Sequence, residues 1–170
     1  MGTKVASALP FKGSPFNSAL ETGVRALAIL VEAFPAGVDL QRLVYFDYLV
    51  VHSGDAGGPT SLHPDTPLRN GELLVRRGLV ERGVLLMVGR NLAARRFDQK
   101  GIYYSATEDA EAFLSCLLSS YSALLRDRAH WAYERFGPLD DRALKQFFDA
   151  NFGRWTREFQ STFAPSQEPS

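Results

Sequence analysis

Four side chains able to ligate a metal fall within 14 residues: His52, Asp55, His63 and Asp65. Two imidazoles and two carboxylates are the right donors for zinc or manganese. Their spacing matches no established ligand pattern. The stretch that holds them, HSGDAGGPTSLHPDTPL (52–68), is also dense in Gly, Pro, Ser and Thr, where aspartates act as turn formers. It reads as a structured loop, with a protein-contact loop and a metal or catalytic site as the alternatives. Loops this long are uncommon unless they do something. His52, Asp55 and His63 are therefore carried forward as candidate partner contacts, and no metal or cofactor is assigned.

Two other residues invite chemistry. Asp47 interrupts the apolar run LVYFDYLVV. It is either a carboxylate at a surface or paired with a core arginine, or a buried functional acid. If buried it requires a partner, because an unpaired charge is costly there. Cys116 is the only cysteine and sits in AFLSCLLSSY. A lone thiol forms no internal disulfide, which suits a reducing cytoplasm, and in an apolar helix it reads as a small buried residue. There is no glycine-rich phosphate loop, HExxH, GxSxG or Cys-x-x-Cys in the chain. No catalytic residue is assigned, and a binding module is expected rather than an enzyme.

The net charge of zero conceals a segregation. Residues 69–105 carry eight basic and three acidic groups, whereas 1–68 carry four and six and 106–170 carry seven and ten. The basic stretch also has the most telling local pattern. An apolar helix, Leu79 to about Val88, stops at Gly89. A strand Leu92–Phe97, a polar turn Asp98-Gln99-Lys100-Gly101 and a strand Ile102–Ser105 follow, and Thr107 opens a new helix. This is the second half of a winged helix-turn-helix. Arg90, Arg95, Arg96 and Lys100 are its candidate phosphate contacts. The helix before the wing offers only Glu81 and Arg82 among apolar residues, too little for base reading, which needs several polar side chains on one face.

The elements that carry these residues follow from caps and periodicity. Ser18 and Glu21 have capping-box spacing, and Leu20, Val24, Leu27, Val31 and Phe34 form an apolar stripe ended by Pro35-Ala36-Gly37. Glu21 and Arg25 sit four apart on the opposite side. Asp39 caps a second helix that is apolar nearly all round from Leu43, as a central helix would be. Residues 69–77 form a short helix capped by Asn70, which Gly78 separates from the next. A helix from Thr107 continues to Phe136 with a bend near Ser119-Ser120, and Gly137-Pro138 ends it. The last helix runs from Asp140-Asp141 to about Phe163. Leu144, Phe148, Trp155, Phe159 and Phe163 form its stripe, widened by Phe147 and Phe152. That stripe either packs on the preceding helix or docks a partner, for which Phe148, Trp155, Phe159 and Phe163 are the anchors.

The fold class is thus mainly α with a small β wing (α+β): a winged helix-turn-helix followed by a helical hairpin. Residues 1–15 form an N-terminal arm, 16–106 the winged-helix domain, 107–163 the helical extension and 164–170 a disordered tail. No apolar run has secretory-signal length, and none approaches the ~18 residues of a membrane span. A cytoplasmic protein with no membrane role is expected.

The runs PFNSALETGVRALAIL, DLQRLVYFDYLVVHSGDAGGPTSLHPDTPLRNGELLVRRGLVERGVLLM and GIYYSATEDAEAFL resemble the type 2 middle component of bacterial ABC-three-component defence systems, the broad group that includes Lamassu. The segment HSGD…SLHPD…LRNGELLVRR is the distinctive part of the likeness, which covers about 15–160. The resemblance implies a winged-helix adaptor without catalysis, seated between an SMC-like ABC ATPase and an effector, often a nuclease, with DNA reached through the complex. A winged-helix transcription regulator that binds DNA directly is the alternative.

Overall fold

The capping box opens the first helix as its spacing requires. Ser18 Oγ accepts from the Glu21 amide at 3.2 Å, and the Glu21 carboxylate accepts from the Ser18 amide at 3.3 Å. The computed structural model describes residues 18–64 and 72–162, with side chains through 154 except that of residue 72. The order is α1 (Ala19–Ala33), β1 (Val38–Asp39), α2 (Leu40–Val51), a 3-10 turn (Ser53–Ala56), α3 (Glu72–Gly89), β2 (Ala93–Asp98), β3 (Gly101–Ala106), α4 (Asp109–Ser115), α5 (Ser120–Phe136) and α6 (Asp141–Thr162). The architecture is mainly helical with one antiparallel sheet, in strand order β1-β3-β2. β1, which no residue pattern announced, pairs Val38 with Tyr104 and Asp39 with Tyr103. The expected arm and tail, with Asp65 and Asn70, lie outside the described residues.

Four expectations change. α3 is one helix of 18 residues that runs straight through Gly78. A helical glycine costs only about 1 kcal/mol, and packing along α1 and α2 outweighs that. Conversely, the helix expected to bend near Ser119 is broken. Cys116 closes α4, and the Ser119 hydroxyl accepts from the Ser122 amide at 3.1 Å to cap α5. Cys116 is exposed rather than buried, because it lies at this break. Finally, α1 is not one-sided. Every residue from Arg25 to Leu30 is buried, whereas Leu20 and Phe34, taken as core, are half exposed. Helix α1 is enclosed because α3, α5, α2, α4 and β3 all touch it.

The α1–α3 contact is unusually close. A Cβ on Gly83 would lie 2.6 Å from the Gly23 nitrogen, and one on Gly23 would lie 2.7 Å from the Gly83 carbonyl oxygen. The two backbones meet here, with the Met87 methyl closing the Gly23 side, and only glycine fits at either position.

The hairpin is pinned at both ends. Asn91, with φ 58°, takes the left-handed position past α3, and the Leu92 amide donates back to the Met87 carbonyl. Thr107 Oγ1 donates to the Asn91 carbonyl at 2.8 Å, tying the end of β3 to the end of α3. At the tip, Asp98 Oδ1 accepts from the Lys100 and Gly101 amides, and Gly101 takes φ 140°. Behind the sheet, α5 and α6 fold back on α1 and α2, so one core runs from Ala26 to Phe148. Arg42 fastens the α5–α6 corner. It donates to the Gly137 and Leu139 carbonyls at 2.8 and 2.6 Å and to Asp141 at 3.1 Å.

Candidate functional site

Asp47 is fully buried, and its partners come from two other helices. Arg25 of α1 donates from Nε to Oδ1 at 2.7 Å, and Arg76 of α3 donates from Nη1 to Oδ2 at 2.6 Å. Thr22 stands 3.5 Å from the Arg25 guanidinium. Burial pushes the Asp47 carboxyl up, but the two guanidiniums outweigh it and hold the group below the usual carboxylate range. The partner that the aspartate needed is thus a pair of arginines. Arg25, assigned from spacing to the outer face with Glu21, turns inward instead. Glu21 is engaged in the capping box, and the buried carboxylate is the better anion.

The 52–64 segment lies over this centre and is tightly built. Its Leu62 and His63 amides both donate to the Val51 carbonyl, and Ser53 Oγ donates to the Pro59 carbonyl at 2.8 Å. Arg128 of α5 donates to the Thr60 carbonyl at 3.1 Å. His52 is 3% exposed, with its ring 4.9 Å from that of Tyr48 and 6.4 Å from that of His63. His63 Nε2 bonds the Tyr121 hydroxyl at 2.9 Å, and the Tyr48 hydroxyl donates to Asp55 at 2.5 Å. Burial, then the nearby arginines, lowers His52 to about 3 and His63 to about 4. Both imidazoles are neutral at pH 7 and neither is poised to exchange a proton there. Among the described residues no group of three or more His, Cys, Asp or Glu side chains is arranged to hold a metal. His52 is buried, Asp55 and His63 are half-buried, and the three join the loop to α2 and α5.

The other candidates fall in two places. Phe148 is a core residue, 0% exposed and stacked on Tyr45 at 4.3 Å, so it presents nothing to a partner. Trp155 and Phe159 lie on α6 beyond the described side chains, and Phe163 lies outside the described residues. Arg90, Arg95, Arg96 and Lys100 are all exposed around the hairpin. Strand alternation puts Arg95 and Arg96 on opposite faces of β2. The Arg95 guanidinium lies 4.8 Å from the Phe97 ring centroid.

What sequence reasoning missed is apolar. Phe97 and Ile102 face each other across the hairpin and are 68% and 42% exposed. On α3 the exposed positions include Leu74, Val75 and Leu85 beside Glu81 and Arg82. The alternation of β2 and β3 would have put Phe97 and Ile102 in the core. They escape it because the hairpin outruns the helices beneath it.

No helix among the described residues is long and apolar enough to cross a membrane. Neither a curated protein nor a solved structure matches the chain. Residues 15–158 match the family model described as ABC-three component (ABC-3C) system Middle Component 2. That span takes in every element from α1 into α6, and with it the buried arginine–aspartate centre and the hairpin. The chain belongs to the middle component 2 family of ABC-three-component systems.

Proposed function

We propose that this chain is a non-catalytic winged-helix adaptor. It bridges an SMC-like ABC ATPase and an effector nuclease in a cytoplasmic, Lamassu-like defence complex. The observation that carries the reading is the solvent face of α3. In a winged-helix arrangement this is the helix that would enter a DNA groove. Among the described side chains its exposed residues include Leu74, Val75 and Leu85, with Glu81 and Arg82 as the charged ones. Such a surface gains free energy against protein and little against base edges. The element order supports the winged-helix assignment: three helices, a short strand between the first two, and a hairpin after the third. Family membership supports a multi-protein setting.

One observation favours the alternative, a DNA-binding regulator: four exposed cations surround the hairpin. A regulator of this kind is a homodimer whose duplex affinity falls steeply with salt. The test is to co-express the tagged chain with the proteins encoded beside it and determine the mass of what is retained. Recovery of an ABC ATPase together with a second protein supports the adaptor. A lone dimer that shifts a DNA duplex replaces it with the regulator.

A further inference from the structure

A cleft of about 410 Å³ opens where the end of α1 meets the end of β3 and the start of α4. Its lining is mostly apolar, with Val31, Phe34 and Ala106 beside Thr107. Half of Phe34 stands in water, and Pro35 and Ala36 after it are exposed too. The rest of the lining is two carboxylates, Glu108 and Glu111, and among the described residues no lysine, arginine or histidine lines it. Arg126 and Ser115 both bond Glu111 through Oε1, so Oε2 keeps its lone pairs. Glu108 and Asp109 have no ion-pair partner among the described residues, and the Glu108 side chain does not cap α4. Glu32, next to Val31, meets His130 at 2.9 Å. Arg90, one residue from the Asn91 that holds Thr107, lies outside the lining. In or beside the cleft, Glu32, Glu108, Asp109 and Glu111 thus outnumber Arg126 and His130. Acids at a helix start stabilise that helix, but this does not account for an aromatic ring left in water beside them.

We propose that this cleft docks a basic segment of a partner protein. One arginine or lysine would lay its aliphatic stem along Val31 and Phe34 and bring its charged head to Glu108 and the open oxygen of Glu111. The inference rests on the adaptor reading and names the chemistry of one of its contacts. Long basic side chains cover apolar surface with the stem while the head stays at the water's edge, and an aromatic face attracts the cation as well. A wholly apolar side chain is the poorer complement. It fills the cleft but strips water from Glu108 without giving that carboxylate a bond. Nucleic acid and acidic segments meet like charge at the same rim. The volume suits one long side chain, at the small end of pockets that bind specifically.

The test uses the full chain co-expressed with its encoded neighbours. A photo-crosslinking phenylalanine analogue replaces Phe34, and mass spectrometry identifies the segment it captures. Capture of a partner segment with net positive charge and an arginine or lysine at the crosslink supports the dock. Capture of nucleic acid, of this chain itself, of a second copy, or of an acidic or uncharged segment overturns it. So does a complex that co-purifies intact with nothing captured at Phe34, and that result leaves the adaptor reading standing. If no partner co-purifies even with the unaltered chain, the adaptor reading fails and the dock falls with it. As a second measurement, Glu108→Lys should weaken partner binding about tenfold and Glu108→Gln by less, with both losses shrinking as salt rises. Glu108 is exposed, so the melting temperature should hold. Equal binding by Glu108→Lys overturns the proposal, and if that variant melts early, Glu108→Gln decides in its place.

Discussion

Arg25 and Arg76 are spent inward on one carboxylate, whereas Arg95 and Arg96 are held out in water on a two-stranded projection. Both regions combine arginine with aromatic rings. At the centre, Arg76 lies 5.5 Å from the Tyr48 ring, and at the hairpin Arg95 lies 4.8 Å from that of Phe97. They differ in what water can reach. At the centre each charge must be matched within the molecule, so the group acts as a clamp that sets α1, α2 and α3 in one arrangement. At the hairpin Arg95 and Arg96 have no carboxylate partner among the described residues, and water hydrates them at little cost. Burial thus separates the arginines that make the fold from those free to meet a partner.

Asp47→Ala should break that contrast most severely. It leaves two guanidiniums in the core without a counter-charge, and a loss of about 3–5 kcal/mol is expected in urea denaturation. An Asp47→Ala protein as stable as the parent would remove the clamp from the account. Next is the α1–α3 crossing that brings Arg25 and Arg76 within reach of one carboxylate. Gly83→Ala forces a methyl against backbone and should cost about 1–3 kcal/mol. Gly89→Ala on the same helix meets nothing within 4 Å and serves as the control in thermal melts.

Acid should act on the buried side of the comparison alone. His52 and His63 are depressed to about 3 and about 4 from an unfolded value near 6.5. The unfolded chain therefore takes up protons first. The stability they confer is complete above pH 6.5 and is lost progressively as the pH falls toward 4 and 3. By pH 5 roughly 2 kcal/mol should be gone from His52. Melting curves from pH 7 to 5 check this, and His52→Gln should flatten the dependence. The smallest stability effect is expected at the hairpin. Arg96→Ala or Phe97→Glu should move folding by no more than about 0.5 kcal/mol. A large destabilisation from either would erase the distinction between the two regions.

Features settled by chemistry a few residues apart were legible in the chain. The Ser18–Glu21 box, the Asp39 cap, the Asp98–Gly101 turn and the Gly137-Pro138 stop each rest on contacts within one helical turn or one tight loop. Arg25 was not legible, because its partner lies 22 residues away and nothing local distinguishes it from a surface arginine. Asp47 was half legible: a carboxylate in an apolar run demands a counter-charge but does not say which. Gly78 misled because a local breaking tendency of about 1 kcal/mol is small beside tertiary packing. At the candidate site, the cations were read from composition. Exposure of Phe97 and Ile102 depends on how far the hairpin projects, which strand alternation does not encode.

Gly23 and Gly83 themselves carry no side chain that could absorb a displacement by changing rotamer, and their backbones meet directly. A push on α3 therefore reaches α1 through hard backbone contact. Through α1 it reaches α5, and through the Thr107 pin it reaches the hairpin. Molecules bound to opposite ends of this chain would feel one another's thrust as through a strut. The pair of glycines makes the chain a mechanical gauge, and a partner bound at one end would find the other end at a set distance.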